Sequence, residues 1–217
     1  MEKANVSKDY LILIEVLNAV THGFACAFSI AGLVVLLVHG AHLHSALHVV
    51  SYAIYGSTMV LLFLTSTLFH SLIFTRAKKV FQVFDHATIY LLIAGSYTPF
   101  CLLSIQGVLG WTLFVLIWLC GIGGIIYKSL TLHKKATVSK ISTILYIIMG
   151  WICLFAAQPL SQALGSGGTL LLVAGGCSYT IGAIFYSFQK LHFMHVVWHL
   201  FVMLGAGFIY FSVLFYT

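Results

Sequence analysis

Charge is what this 217-residue sequence has least of: Asp, Glu, Lys and Arg together make up 6% of it. A soluble domain carries about a quarter. Hydrophobic types instead reach 61%, with aromatics at 15%. That balance excludes a soluble globular domain and points to an integral membrane protein. Acidic residues are scarcer than basic ones, leaving a net charge of +6 and a pI near 9.1. In a soluble chain such an excess would suggest nucleic acid. Here the basic residues sit between apolar runs, where they set topology, so no nucleic-acid partner is expected.

Other absences narrow the class further. The five cysteines, at 26, 101, 120, 153 and 177, all fall inside apolar runs and none forms a C-x-x-C pair. They read as small buried hydrophobes, with no disulfide framework. There is no Rossmann or P-loop fingerprint and no internal repeat. No charged, water-lining stripe suggests a channel. The opening MEKANVSKDY is mixed in charge, and the run after it is interrupted by Glu15, Asn18 and His22 with no A-x-A site. A cleaved signal peptide is therefore not expected.

What the chain does contain is apolar runs at roughly 16–38, 49–74, 82–104, 109–127, 141–158, 169–187 and 193–215. A bilayer needs about twenty apolar residues per crossing. The expectation is an all-α, seven-transmembrane helix bundle forming one domain over 1–217, with 1–15 as a cytoplasmic N-terminal segment. Every Lys and Arg falls on one side. Lys3 and Lys8 precede the first run; Arg76, Lys78 and Lys79 follow the second. Lys128, Lys134, Lys135 and Lys140 follow the fourth, and Lys190 the sixth. Loops 39–48, 104–108 and 159–168 have none. The positive-inside rule then puts the N-terminus in the cytoplasm and the C-terminus outside.

Against this apolar background, polar groups at membrane depth are functional hypotheses. They concentrate in ILIEVLNAVTHG (12–23), TSTLFHS (65–71), FDHATIYLLIAGSYTPF (84–100) and LHFMHVVWHL (191–200). At about 1.5 Å of rise per residue, His70, Asp85, His195 and His199 all fall within roughly 10 Å of the inner boundary. Residues four apart share a helical face, so His195 and His199 can bind one ion, and Ser66 and His70 form a second such pair. Three imidazoles plus a water make an open tetrahedral zinc site. A doubly charged ion, one Asp85 carboxylate and one hydroxide sum to zero, which a low-dielectric bundle tolerates. The bland alternative is that each histidine bonds a neighbouring helix. His192 shares the stripe of His195 and His199, and His86 adjoins Asp85; spacing alone does not choose among them.

The four stretches together resemble the hemolysin III family, bacterial relatives of the progestin and adipoQ receptors. The matching pieces are E-x-x-N-x-x-T-H at 15–22, S-x-x-x-H at 66–70, D-H-x-x-I-Y-x-x-I-A-G-S-Y-T-P at 85–99 and HVVWH at 195–199. The resemblance covers essentially the whole chain. It implies zinc held by His70, His195 and His199, with Ser66 and Asp85 holding the water at the metal. It thereby sets His192 and His86 aside. Many bacterial members carry a further histidine where this sequence has Ile209, a departure outside the ligand set.

The resemblance also implies a multi-pass protein of a bacterial inner (plasma) membrane. The function expected is a zinc-dependent lipid amidohydrolase or esterase acting in the cytoplasmic leaflet, with Asp85 as base and Ser66 positioning the water. Two alternatives stand beside it. One is a non-enzymatic sensor or regulator of membrane lipid with structural zinc. The other, following the family name, is a cytolytic protein.

Smaller features carry expectations too. HGAHLHSALH (39–48) reads as a histidine-rich outer loop. Glu15, Asn18 and His22 face one way, toward the site's mouth or a helix end. Pro99 predicts a kink. GIGG (121–124) and GG (175–176) predict close helix contacts, and GSGG (165–168) a turn.

Overall fold

The computed structural model describes residues 8–132, 140–188 and 193–217. All regular structure among them is helical: α1 (Lys8–His42), α2 (Ala46–Ser71), α3 (Lys78–Pro99), α4 (Gly107–Leu132), α5 (Lys140–Gly150), α6 (Ala157–Ser187) and α7 (Met194–Tyr216). A π segment, Phe100–Ile105, continues α3, and a 3₁₀ segment, Trp151–Ala156, joins α5 to α6. Each helix packs on the next, and α7 returns against α1, so the elements close into a ring.

Six stretches among the described residues are long and apolar enough to cross a membrane: Lys8–His42, Ala46–Ser71, Lys78–Ile105, Gly107–Thr131, Ile141–Ser187 and Met194–Tyr216. The chain is thus an all-helical, polytopic membrane protein. Its runs at 141–158 and 169–187, read separately in the sequence, are joined in one stretch of 47 residues. That stretch is not uniform: it tightens at 151–156 and loses helical geometry at Gly165, where φ is 62° and ψ −172°. A positive φ favours glycine, and this one opens the GSGG turn expected at 165–168.

Two boundaries differ from the sequence reading. α1 begins at Lys8 rather than near 16, so Glu15 lies inside a helix instead of ending a tail. The apolar periodicity of YLILIEVL continues through it, and its carboxylate has a partner within the bundle. The expected outer loop at 39–48 shrinks to a turn at 43–45. His39 and His42 occupy the last turn of α1, and His48 sits in the first turn of α2.

The irregular segments have identifiable causes. Pro99 has no N–H to donate, and the hydrogen-bond ladder widens to the π pattern directly after it. The Tyr97 hydroxyl reaches across to α5, 2.7 Å from the Gly150 carbonyl, and accepts the Cys153 N–H at 2.8 Å. A side chain inserted into the ladder deforms a helix, here where it turns 3₁₀.

The expected close contacts at glycine are tightest at two positions. A Cβ at Gly124 would collide with the Tyr90 ring, and one at Gly175 would meet Ile209 at 2.8 Å. Gly123, by contrast, has nothing near it. One cluster of buried side chains, including Leu36, Tyr52, Tyr55 and Val213, joins α1, α2 and α7. A second, with Tyr90, Ala94, Ile117 and Met149, joins α3, α4 and α5.

Candidate metal centre

Four helices, α1, α2, α3 and α7, meet where the polar stretches come together. α2 carries Ser66 and His70 on one face of its last two turns, and α7 carries His195 and His199 in its first two. The i, i+4 spacing aims each pair in one direction. The rings converge: His70 lies 5.0 Å from His195 and from His199 between ring centroids, and His195 lies 4.7 Å from His199. One ligand atom from each of the three falls within 4.8 Å of the others. Among the described residues no other His, Cys, Asp or Glu group of three does so.

The fit to a metal rests on atoms that lack partners. His70 Nε2, His195 Nε2 and Ser66 Oγ are all buried without a hydrogen bond. Buried polar atoms are normally paired, and an unpaired one costs about 1–3 kcal/mol. The two histidine nitrogens belong to the converging trio, and Ser66 lines the same cavity as His195; a divalent cation and its water would give these atoms partners. Three imidazoles suit zinc among the common divalent ions.

α1 supplies the wall behind the histidines. Glu15 Oε2 lies 2.6 Å from His70 Nδ1. Nearly two turns on, Thr21 Oγ1 stands 3.5 Å from His199 Nδ1. His22 stacks on His199. Asn18 and His22 are both buried. Their i, i+3, i+7 spacing had marked one face; that Glu15 touches a candidate ligand was not legible, because the pairing spans 55 residues.

Asp85, on α3, shares a cavity wall with Ser66, His195 and His199. Its Oδ2 is 3.7 Å from His86 Nδ1, too long for a hydrogen bond. His86 Nδ1 instead lies 2.7 Å from the Gln82 carbonyl on its own helix, and the ring stays out of the trio. His192 lies outside the described residues.

The cavity holds about 220 Å³ and is mainly apolar. It runs from the histidines past Ile93, Leu113 and Leu172 to Ile209. His195 and Ile209 are separated by roughly 21 Å along α7, at the usual helix rise.

Lys128 departs from its sequence reading as a loop cation. It lies in α4, 1% exposed, with Nζ 3.4 Å from Ser142 Oγ and Asp85 within Coulombic reach.

A ring of apolar helices around a cavity with a histidine cluster at one end defines a polytopic membrane protein with an intramembrane polar centre. Residues 10–210 match the family described as Haemolysin-III related, and the chain belongs to that family. It is 46% identical to Hemolysin-3 of Bacillus cereus over 203 residues, 94% of this chain and 91% of that one. It is 42% identical to the Hemolysin-3 homolog of Bacillus subtilis over 202 residues, 93% of each. More distantly, it is 31% identical to the human Monocyte to macrophage differentiation factor over 166 residues, 74% of this chain and 67% of that one.

Proposed function

We propose that this protein is a zinc-dependent hydrolase of a membrane-lipid amide or ester. The observation that carries the reading is a junction: His195 and His199 of the three-histidine cluster, with Ser66 and Asp85, line one end of an apolar cavity that continues to Ile209. A polar reacting group would sit at the histidines while its hydrocarbon tail fills the cavity.

His70, His195 and His199 would hold the zinc. Bound there, zinc supplies a Lewis acid that polarises a carbonyl and acidifies water. Asp85 takes the proton from the attacking water. The water oxygen bonds to the carbonyl carbon, the C–N or C–O bond breaks, and Asp85 returns the proton to the leaving amine or alcohol. Ser66 orients the water or donates to the developing oxyanion. The apolar wall excludes bulk water and strengthens each of these interactions.

The membrane placement belongs to the same proposal. A straight helix of the Ile141–Ser187 length would span about 70 Å, over twice the hydrocarbon core of about 30 Å. The break at Gly165 lets it cross twice, giving seven crossings. With all basic residues on one side, the N-terminus is cytoplasmic, the C-terminus is outside and the histidine centre lies in the inner leaflet of the plasma membrane.

A second reading keeps the zinc and drops the turnover. α7 packs mainly on α1 and α6, so an ion shared by His70, His195 and His199 would add a tie between α2 and α7 at the histidine end of the bundle. Such a staple suits a sensor of lipid state. The discriminating experiment compares the lipids of cells making the wild type with those making His195→Ala. A single lipid class accumulating in the mutant supports the hydrolase; unchanged lipids favour the staple.

A further inference from the structure

We infer that Glu15 is a positioning residue for the metal centre: without being a ligand, it fixes His70 so that Nε2 faces the ion. The inference rests on the zinc reading above and deepens it.

The geometry is specific. A histidine has two ring nitrogens, and the bond made by one decides what the other offers. Glu15 Oε2 stands 2.6 Å from His70 Nδ1, the range of a strong charge-assisted bond. A carboxylate only accepts, so Nδ1 carries the hydrogen, and Nε2 is the nitrogen left for a metal. That Nε2 is the atom found buried and unpartnered beside His195 and His199. His70 is 4% exposed, so no bulk water competes for either nitrogen.

The same helix meets a second candidate ligand nearly two turns later. His199 stands 3.5 Å from Thr21 Oγ1 on its Nδ1 side. α1 contributes no ligand to the trio, yet it contacts the Nδ1 side of two of its members. This is the carboxylate–histidine–metal arrangement that orients a ligand and raises its basicity. It also explains why an acid is tolerated within an apolar helix.

The experiment uses full-length protein in detergent, with zinc affinity read by competition against a chromophoric chelator. Glu15→Leu, which removes the bond in a side chain suited to an apolar helix, should weaken zinc binding by about 10–100-fold. Glu15→Gln keeps an acceptor oxygen and should recover part of that loss. In a His70→Ala background, Glu15→Leu should add nothing further, because its effect passes through His70. Circular dichroism checks folding; if Glu15→Leu fails it, the near-isosteric Glu15→Gln, predicted weaker than wild type, decides. Unchanged affinity in the folded variant overturns the inference while leaving the zinc reading intact. So does an equal further loss in the His70→Ala background, which would mean Glu15 acts through general packing. A wild type that binds no zinc at all overturns both, and is distinguishable from either.

Discussion

His22 lies flat against His199, with ring centroids 3.5 Å apart and planes 9° from parallel. Imidazole lone pairs lie in the ring plane, so two parallel rings point past a common ion rather than at it. His22 is therefore a packing partner of a candidate ligand, and it falls outside the converging trio. Purified protein should carry about one zinc per chain, the stoichiometry of a single three-histidine site. His22→Phe, which keeps a flat ring in the stack, should retain it, and His199→Ala should lose it. Elemental analysis showing equal loss in both would make His22 a ligand.

Lys128 and Asp85 offer a test of how the bundle carries charge. Lys128 is buried in α4 with Ser142 as its hydrogen-bond partner and Asp85 within Coulombic reach. Lys128→Met leaves Asp85 without that opposite charge and should lower the melting temperature in detergent. With Asp85→Asn already present, the same substitution should be tolerated. The difference, an interaction of about 0.5–3 kcal/mol, is the coupling expected of residues in one network. Additive losses would show that the two charges do not sense each other.

The α3–α4 contact makes a prediction independent of any metal. Gly124→Ala puts a methyl where the Tyr90 ring lies, whereas Gly123→Ala meets nothing. Overpacking costs about 1–3 kcal/mol, so Gly124→Ala should melt earlier and Gly123→Ala should not. Equal melting temperatures would contradict the packing described.

Orientation follows from the basic residues alone. A reporter fused after Thr217 should be active only outside the cell, and one inserted within 132–138 only in the cytoplasm. The opposite pattern would move the histidine centre to the outer leaflet.

How far the sequence anticipates this structure depends on whether the information is local. Ser66 with His70, and His195 with His199, were legible because four-residue spacing fixes a shared face without reference to the rest of the chain. Gly165 was legible because GSGG has few uses except as a turn. Glu15 with His70 was not, since helix geometry says which way Glu15 faces but not what it will meet. Lys128 was misread because a lysine after an apolar run usually ends it, and only packing against α5 reveals its burial. The 3₁₀ turn at 151–156 depends on a tyrosine more than fifty residues earlier. Pro99 announced a kink but not its π form.

The central claim is that the histidine centre performs chemistry with Asp85 as its base. Asp85→Asn tests it most directly, because it keeps size and shape while removing the base. Zinc content and melting temperature of the purified variant are measured beside the cellular level of the responsive lipid. Expected are near-normal zinc, a melting temperature lowered by no more than the lost Lys128 interaction, and lipid turnover lowered about 10²–10⁴-fold, the usual cost of losing a general base. Full zinc together with full turnover in Asp85→Asn would contradict it.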